Sequence, residues 1–500
     1  MSDGVRVEAV DRQHGLNKLT ARERIALLVD RDGFREFGAL SDAKGVTEVT
    51  TFTAPADGVV TGVGYIDGRP AVVMANDFTV FGGSDGSVGH SKFARCCERA
   101  LRDGIPLVML FDGGGHRIQE GLDSRHFARG FTGFQDLVNL SGYVPVVAVM
   151  MGPGFAGPSN FAALADFVVM VRGISTMGIA GPALVRAATG ENLSKEELGG
   201  ADGQAALGVT DLAVDSEAEA LDAVRLFLSY LPSNCAGVPP ADDPDDVVEP
   251  GLDIEELVPA NLRQSYDVRP VLDALADADS VFEIKPRFAP NVVTALARIG
   301  GRPVGIVANQ AAHLSGSLDS PACEKAAHFV SLCDAYGVAL LFLIDVPGFL
   351  VGMESARTQL ARRSGRMLFE LGQATVPRLS VVLRKGYGAG YIAMGGGRSF
   401  SADLALAWPT AEICAMAVEG AVDVAYRRDI EAAEDSDARR SELIDGFRSG
   451  INAFAAAQGF GIDDVVLPSE TRSALVHYLG RAPARHSKTV PFRHHGISPI

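Results

Sequence analysis

Two short stretches carry the residue pattern best suited to chemistry. In each, an apolar run ends in a turn of small residues, Ala156–Gly157 in one and Ala389–Gly390 in the other, and helical patterning follows. A helix that begins at such a turn presents unpaired backbone N–H groups and a partial positive charge. Small side chains let a ligand oxygen come within hydrogen-bonding distance of those amides. This is the construction of an oxyanion hole, where one donor is typically worth about 2.7–4 kcal/mol to a transition state carrying new negative charge. For one turn taken alone, tight helix–strand packing explains the small residues equally well, because a lone Gly motif is a weak signal. Recurrence in two parts of the chain favours chemistry. No Ser-His-Asp or paired-carboxylate constellation accompanies either turn. His116 follows a strand end and a glycine run, a place where α/β proteins bind ligands. It can hydrogen-bond a substrate or act as an acid; the alternative is a solvent-facing or structurally satisfied histidine. Arg117 and Glu120 beside it read as an ion pair or helix cap.

The elements that must position these turns come in two copies. DGRPAVVMAND (67–77) matches GGRPVGIVANQ (300–310), so that 302 − 69 = 233 separates Arg69 from Arg302. GIPLVMLFD ends at Asp112 and GVALLFLID at Asp345, again 233 apart. VPVVAVMMGPGFAG ends at Gly157 and VPRLSVVLRKGYGAG at Gly390, which reads as the same spacing of 233. Further on, Met177 pairs with Met416 and Gly181 with Gly420 at a spacing of 239, which calls for an insertion of about six residues between. This is the signature of an internal duplication. The runs 104–112, 144–151, 337–345 and 378–383 are continuously apolar, as strands covered on both faces are. Strand, glycine turn and helix in repetition give an α/β layered fold.

Bulk properties agree. A chain of 500 residues exceeds a single core, and the Pro- and Asp-rich stretch 236–259 reads as a linker. We place an N-terminal domain at 1–240 and a C-terminal domain at 250–500. KLTARERIALLVD has apolar residues at helical spacing. A formal charge of −17 argues against nucleic acid and anionic membranes as partners. The six cysteines form no CxxC pair, which argues against a zinc ribbon and for reduced, buried thiols in a cytoplasmic protein. The N-terminus lacks the apolar segment of a signal peptide, and no apolar run is long enough to span a bilayer.

From about Lys18 onward the chain resembles the carboxyltransferase (beta) subunits of biotin-dependent propionyl-CoA and acetyl-CoA carboxylases. The residues that carry the resemblance are KLTARERI, GVVTGVGYIDGRPAVVMANDFTVFGGS, RIQEG, GRPVGIVANQ, LIDVPGF, VLRKGYG, LAWPTAEI and EGAV…YRRDI. The resemblance implies two duplicated crotonase-like spiral domains. It implies that the N-terminal half holds acyl-CoA and the C-terminal half holds carboxybiotin, with one amide pair for the thioester enolate and one for the biotin ureido oxygen. By matching position, Ala156 and Gly157 serve the thioester, and Ala389 and Gly390 serve biotin. Gly114, Gly115, His116, Arg117 and Ile392 fall on the substrate side, and Gly388 and Tyr391 on the biotin side. Ile392 either meets the acyl tail or packs in the core. Arg384 and Lys385 either hold the biotin or carboxylate end or form a structural pair.

The resemblance further implies biotin carried on a partner alpha subunit, since this chain shows no biotin-accepting Met-Lys-Met and no ATP-grasp loop. It implies a homo-oligomer, a hexamer of stacked dimers, and no metal in this chain. The sequence departs from the family at Ala156, where Gly is usual, at Gly388–Gly390, at His116, where Ala is usual, and after DVPGF. An Ala amide donates as a Gly amide does, provided its φ is not positive. Competing readings are a decarboxylase working in reverse, a biotin-independent hydrolase or decarboxylase of CoA thioesters using His116, and a non-catalytic subunit of a carboxylase complex.

Overall fold

The computed structural model describes residues 3–46, 50–124, 128, 130 and 132–486. The chain divides into two compact units, with the boundary between Val238 and Pro239. In the first, strands β1 (Arg35–Phe37), β2 (Val59–Ile66), β3 (Arg69–Asn76), β4 (Leu107–Phe111), β5 (Val146–Met150), β7 (Phe167–Val171) and β9 (Leu212–Val214) form one sheet in that spatial order. β6 (Pro153–Phe155) and β8 (Thr176–Gly178) pair as a separate parallel ribbon. The helices that matter here are α1 (Ala21–Leu28), α2 (Ser87–Asp103), α3 (Gly157–Ala162) and α4 (Pro182–Thr189). α1 starts with a capping box, Thr20 and Glu23 each bonding the other's backbone amide.

The second unit repeats this order. β10 (Phe282–Ile284), β11 (Val292–Ile299), β12 (Arg302–Asn309), β13 (Ala339–Val346), β14 (Arg378–Tyr387), β15 (Leu404–Ala407) and β17 (Asp464–Val465) make the sheet, and β16 (Glu412–Cys414) pairs with the end of β14. Its helices include α5 (Ser320–Tyr336), α6 (Gly388–Ala393) and α7 (Val418–Ala425). Each unit is thus an antiparallel start followed by parallel crossovers, the duplicated α/β architecture expected of the crotonase-like class. β4 and β5 are buried at every residue, which is why those runs show no polar alternation. Each such Val or Leu contributes about 1.5–3 kcal/mol by burial.

Strand register refines the duplication. Val108 pairs with Val147 in one unit and Leu341 with Leu379 in the other, so the spacing drops from 341 − 108 = 233 to 379 − 147 = 232 between the two strands. The turns therefore align as Ala156 with Gly388 and Gly157 with Ala389, rather than Gly157 with Gly390. Downstream, Phe155 pairs with Gly178 and Tyr387 with Cys414, giving 414 − 178 = 236. Met177 thus corresponds to Ile413 rather than to Met416. The caps of α4 and α7, Gly181 and Ala417, share that spacing, so Gly420 is not the partner of Gly181. Matching by residue type failed here because ladder hydrogen bonds, not side-chain identity, set register.

Five cysteines, Cys96, Cys97, Cys235, Cys323 and Cys333, are buried and Cys414 is partly exposed; burial pushes the Cys96 thiol up to about 12. Among the described residues no helix is long and apolar enough to cross a membrane.

Candidate functional site

In the first unit the turn begins where the ribbon β6–β8 ends. Ala156 has φ 60° and ψ −116°, backbone that only Gly adopts without strain, at a typical cost of about 1–3 kcal/mol. The proviso on φ therefore fails. The Ala156 amide donates to the Gly178 carbonyl at 2.9 Å, so the ribbon takes it. The next residue, Gly157, opens α3, where an amide has no acceptor within its own helix. A Cβ at Gly157 would meet only the Phe161 ring, at 3.8 Å, so the space in front of it is open. Opposite lies the loop after β4. Gly115, with φ +79°, faces Pro158 and the Phe155 carbonyl, while Gly114 has nothing within 4 Å of its Cβ direction. Gly113 and Gly114 donate to the Pro153 and Gly82 carbonyls at 3.0 and 3.3 Å, which ties the loop down.

The second turn has the same plan. Gly388 has φ +60°, matching Ala156, and Ala389 is exposed at the start of α6. Gly390 is buried: a Cβ there would lie 2.9 Å from the Gly348 Cα. Of the predicted pair Ala389–Gly390, the accessible amide is therefore that of Ala389. The Tyr391 ring packs on glycines, and a Cβ at Gly386 or Gly396 would come within 2.8 or 2.1 Å of it. Burial pushes its hydroxyl up to about 12. Tyr391 thus supports the turn from behind. Ile392 is 45% exposed on α6, which removes the core-packing reading.

Both turns rest on an aspartate at the end of the preceding strand. Asp112 accepts from Arg24 at 2.7 Å and Gln13 at 3.1 Å, with Lys18 also paired to it. Arg24 lies inside α1 yet is wholly buried, and it also donates to Glu217 and the Met151 carbonyl. This explains why KLTARER stands out in the sequence. In the other unit Arg384 donates to Asp345 at 2.9 and 2.8 Å and to the carbonyls of Pro259, Asn261 and Gln264 at 3.2, 2.9 and 2.9 Å. Every Arg384 nitrogen is used, so it is a structural residue rather than a ligand for a carboxylate. Lys385 lies 3.4 Å from Asp345 and 3.3 Å from the Leu262 carbonyl.

Arg117 is likewise committed. It is buried and donates to Asp57 at 2.6 Å, Glu120 at 2.8 Å and the Ser84 carbonyl at 3.1 Å. Asp57 and Glu120 in turn accept from Gly86, Gly89 and Ser87 at the start of α2, at 3.0, 2.8 and 2.9 Å. The guanidinium is a brace for that helix start, and placing it among the substrate contacts does not fit. His116 is half-buried, its Nδ1 3.3 Å from His90 Nε2, and the two rings stack. His90 Nε2 lies 3.8 Å from Asp85. Burial and the nearby Asp57 push the Asp85 carboxyl up to about 7; burial and His116 push His90 down to about 4. Asp85 and His90 were not picked out from sequence, because neither is near His116 in the chain. The available signal was the duplication, which pairs them with Leu318 and Cys323.

Comparison with known proteins gives one consistent result. A carboxyl transferase domain family matches residues 12–497. The chain is 40% identical over 507 residues to a propionyl-CoA carboxylase carboxyltransferase subunit of Haloferax mediterranei, covering 99% of this chain and 96% of that one. It is 40% identical over 499 residues to the methylmalonyl-CoA carboxyltransferase 12S subunit of Propionibacterium freudenreichii subsp. shermanii, covering 98% and 93%. A crystal structure of transcarboxylase 12S, described as a hexamer assembly with methylmalonyl-coenzyme A and methylmalonic acid bound, superposes with a TM-score of 0.91 at 39% identity, covering 99% and 94% of the two chains.

Proposed function

The chain belongs to the carboxyl transferase family, and from that premise we propose that it is the carboxyltransferase subunit of a biotin-dependent acyl-CoA carboxylase acting on short acyl-CoA thioesters. The observation that carries the reading is the pair of turns: each unit offers an accessible backbone amide, Gly157 or Ala389, at the start of a short helix and at the same place in the fold. Two oxyanions form in such a transfer, one on the thioester and one on the ureido carbonyl, and one turn serves each. Gly157, facing the Gly114–Gly115 loop, stabilises the enolate oxygen. Ala389 and Gly388 receive the ureido oxygen. Arg384 and Lys385 are turned to Asp345, which leaves the backbone amide of the second turn as the donor for the ureido oxygen. When bound, biotin supplies the carboxyl carrier and the base. The overall exchange balances: the α-carbon gains the carboxyl group and loses a proton, and the ureido nitrogen gains that proton.

The partner is a separate biotin-bearing subunit, and the working assembly is a homohexamer, in line with the hexamer assembly described for the solved relative. The cytoplasm is the compartment where such thioesters and reduced thiols occur together.

The test uses the purified chain, methylmalonyl-CoA and free biotin. Release of propionyl-CoA that depends on biotin is the expected result. Release at the same rate without biotin would replace this reading with a biotin-independent decarboxylase or hydrolase. Copurification from the source cell with a streptavidin-reactive partner is the second expected result.

A further inference from the structure

The duplication supplies an internal control for the polar group beside the first turn. Asp85 and His116 form an isolated parallel bridge between the segment before α2 and the loop after β4. The second unit makes the same bridge with Leu318 and Phe349, both 233 positions on (318 − 85 and 349 − 116). His90, in the first turns of α2, corresponds to Cys323 in α5, where Leu318 and Cys323 are fully buried. One backbone arrangement is therefore served by Leu, Cys and Phe in one unit and by Asp, His and His in the other. The fold does not require polar residues here.

The charges point to a cation. Asp57 and Glu120 already cap the start of α2 and share Arg117. Asp85 is a third carboxylate in the same place. Among the described residues it has no guanidinium or ammonium within salt-bridge distance, only the His90 ring at 3.8 Å. One ligand atom from each of Asp85, His90 and His116 lies within 4.8 Å of the others. The two ring nitrogens are 3.3 Å apart, close to the edge of a tetrahedron built on Zn–N bonds of about 2.0–2.1 Å.

We propose that Asp85, His90 and His116 bind one first-row divalent metal ion, zinc or a close relative, in a three-ligand site with an open position. Two imidazoles and a carboxylate suit Zn²⁺ and its neighbours and disfavour Ca²⁺ or Mg²⁺. Binding turns the stacked rings until both lone pairs converge on the ion. The site joins the start of α2 to the loop that carries Gly114 and Gly115, so the ion fixes the wall of the first turn. This departs from the expectation of a metal-free chain and is independent of the proposed reaction.

The test is metal binding by the full-length, EDTA-treated protein. Titration with Zn²⁺, followed by calorimetry, and with Co²⁺, followed by its visible absorption bands, is expected to show one equivalent per chain. A double variant, Asp85→Leu with His116→Phe, takes the residues the second unit uses at the same bridge and so retains the fold. It should weaken binding by more than about 100-fold and abolish the cobalt bands. His90→Ala provides a second variant if the first fails to assemble. Absence of stoichiometric binding overturns the proposal. So does unchanged binding in the variants, which would place the ion elsewhere on the chain.

Discussion

The turn at Ala156 and the turn at Gly388 have the same φ, follow the same strand and open onto the same kind of helix, yet one carries a methyl group and the other does not. The difference shows how a duplicated frame divides labour. In the first unit the turn is strained but spacious, with only the Phe161 ring near Gly157. In the second the residue is the permissive one, but the turn is crowded from behind, with Gly390 against Gly348, and a Cβ added at Gly388 would lie 3.0 Å from the Ala415 carbonyl. Their supports differ too. Asp112 is held by residues from the N-terminal segment, whereas Asp345 is held by Arg384 and Lys385 on the adjacent strand.

That last contrast predicts the largest effect. Arg384→Met leaves Asp345 buried with Lys385 as its remaining cation and removes one donor from each of three carbonyls. Breaking a buried pair in this way typically costs about 3–5 kcal/mol. Urea unfolding of the variant should show a loss of that order in the second unit's transition. A change below about 1 kcal/mol, the range of exposed pairs, would mean that Arg384 is not the clamp described.

The next effect separates the turns by chemistry. Gly157→Val should fold, because the added atoms meet open space, and should lower turnover about 100- to 1000-fold by blocking one donor. Gly390→Val should fail on stability instead, since its Cβ would lie 3.0 Å from both the Gly348 carbonyl carbon and a Val346 methyl. The second donor is better tested with Ala389→Pro, which deletes the N–H within the first turn, where a helix accepts proline. Biotin-dependent turnover should drop while the fold is kept. Near-normal rates in folded Gly157→Val and Ala389→Pro would remove the amides from the mechanism. A smaller change is expected from Ile392→Asp. Its exposure on α6 predicts altered kcat/KM between acyl chains by about 10- to 200-fold at most, the reach of apolar pocket contacts. Equal loss for every chain length would make Ile392 a general contact.

These contrasts also mark what the sequence could and could not reveal. Both turns, the α/β class and the duplication were legible because apolar runs and glycine clusters repeat along the chain. The one-residue change of register before Val146 was not, because two strings of 14 and 15 residues align equally well from either end. Arg117 and Arg384 looked available for ligands, since a cation beside a glycine loop is ambiguous until its partners are known. Those partners, Asp57 and the carbonyls of Pro259, Asn261 and Gln264, are between 60 and 125 residues away. The cluster of Asp85, His90 and His116 stayed hidden for the same reason: it is assembled by tertiary packing rather than by spacing in the chain.

The smallest effect tests the comparison at its source. If the shared φ of 60° is a requirement of the turn, exchanging the two residues should move stability in opposite directions. Ala156→Gly relieves about 1–3 kcal/mol of backbone strain and gives back about 0.5–1 kcal/mol in unfolded-state entropy. The net gain should be near 1 kcal/mol, or roughly 2–4 °C in Tm for a unit of this size. Gly388→Ala meets the same strain and in addition brings a methyl to 3.0 Å from the Ala415 carbonyl, so it should lose at least as much as the other gains. Both variants keep the amides of Gly157 and Ala389, so calorimetry is the proper readout. Turnover of Ala156→Gly is expected to stay within about tenfold of the parent, less than removal of a donor costs. A lower Tm in Ala156→Gly would show that the methyl group makes a favourable contact outweighing the strain, and that the two turns are alike in backbone only.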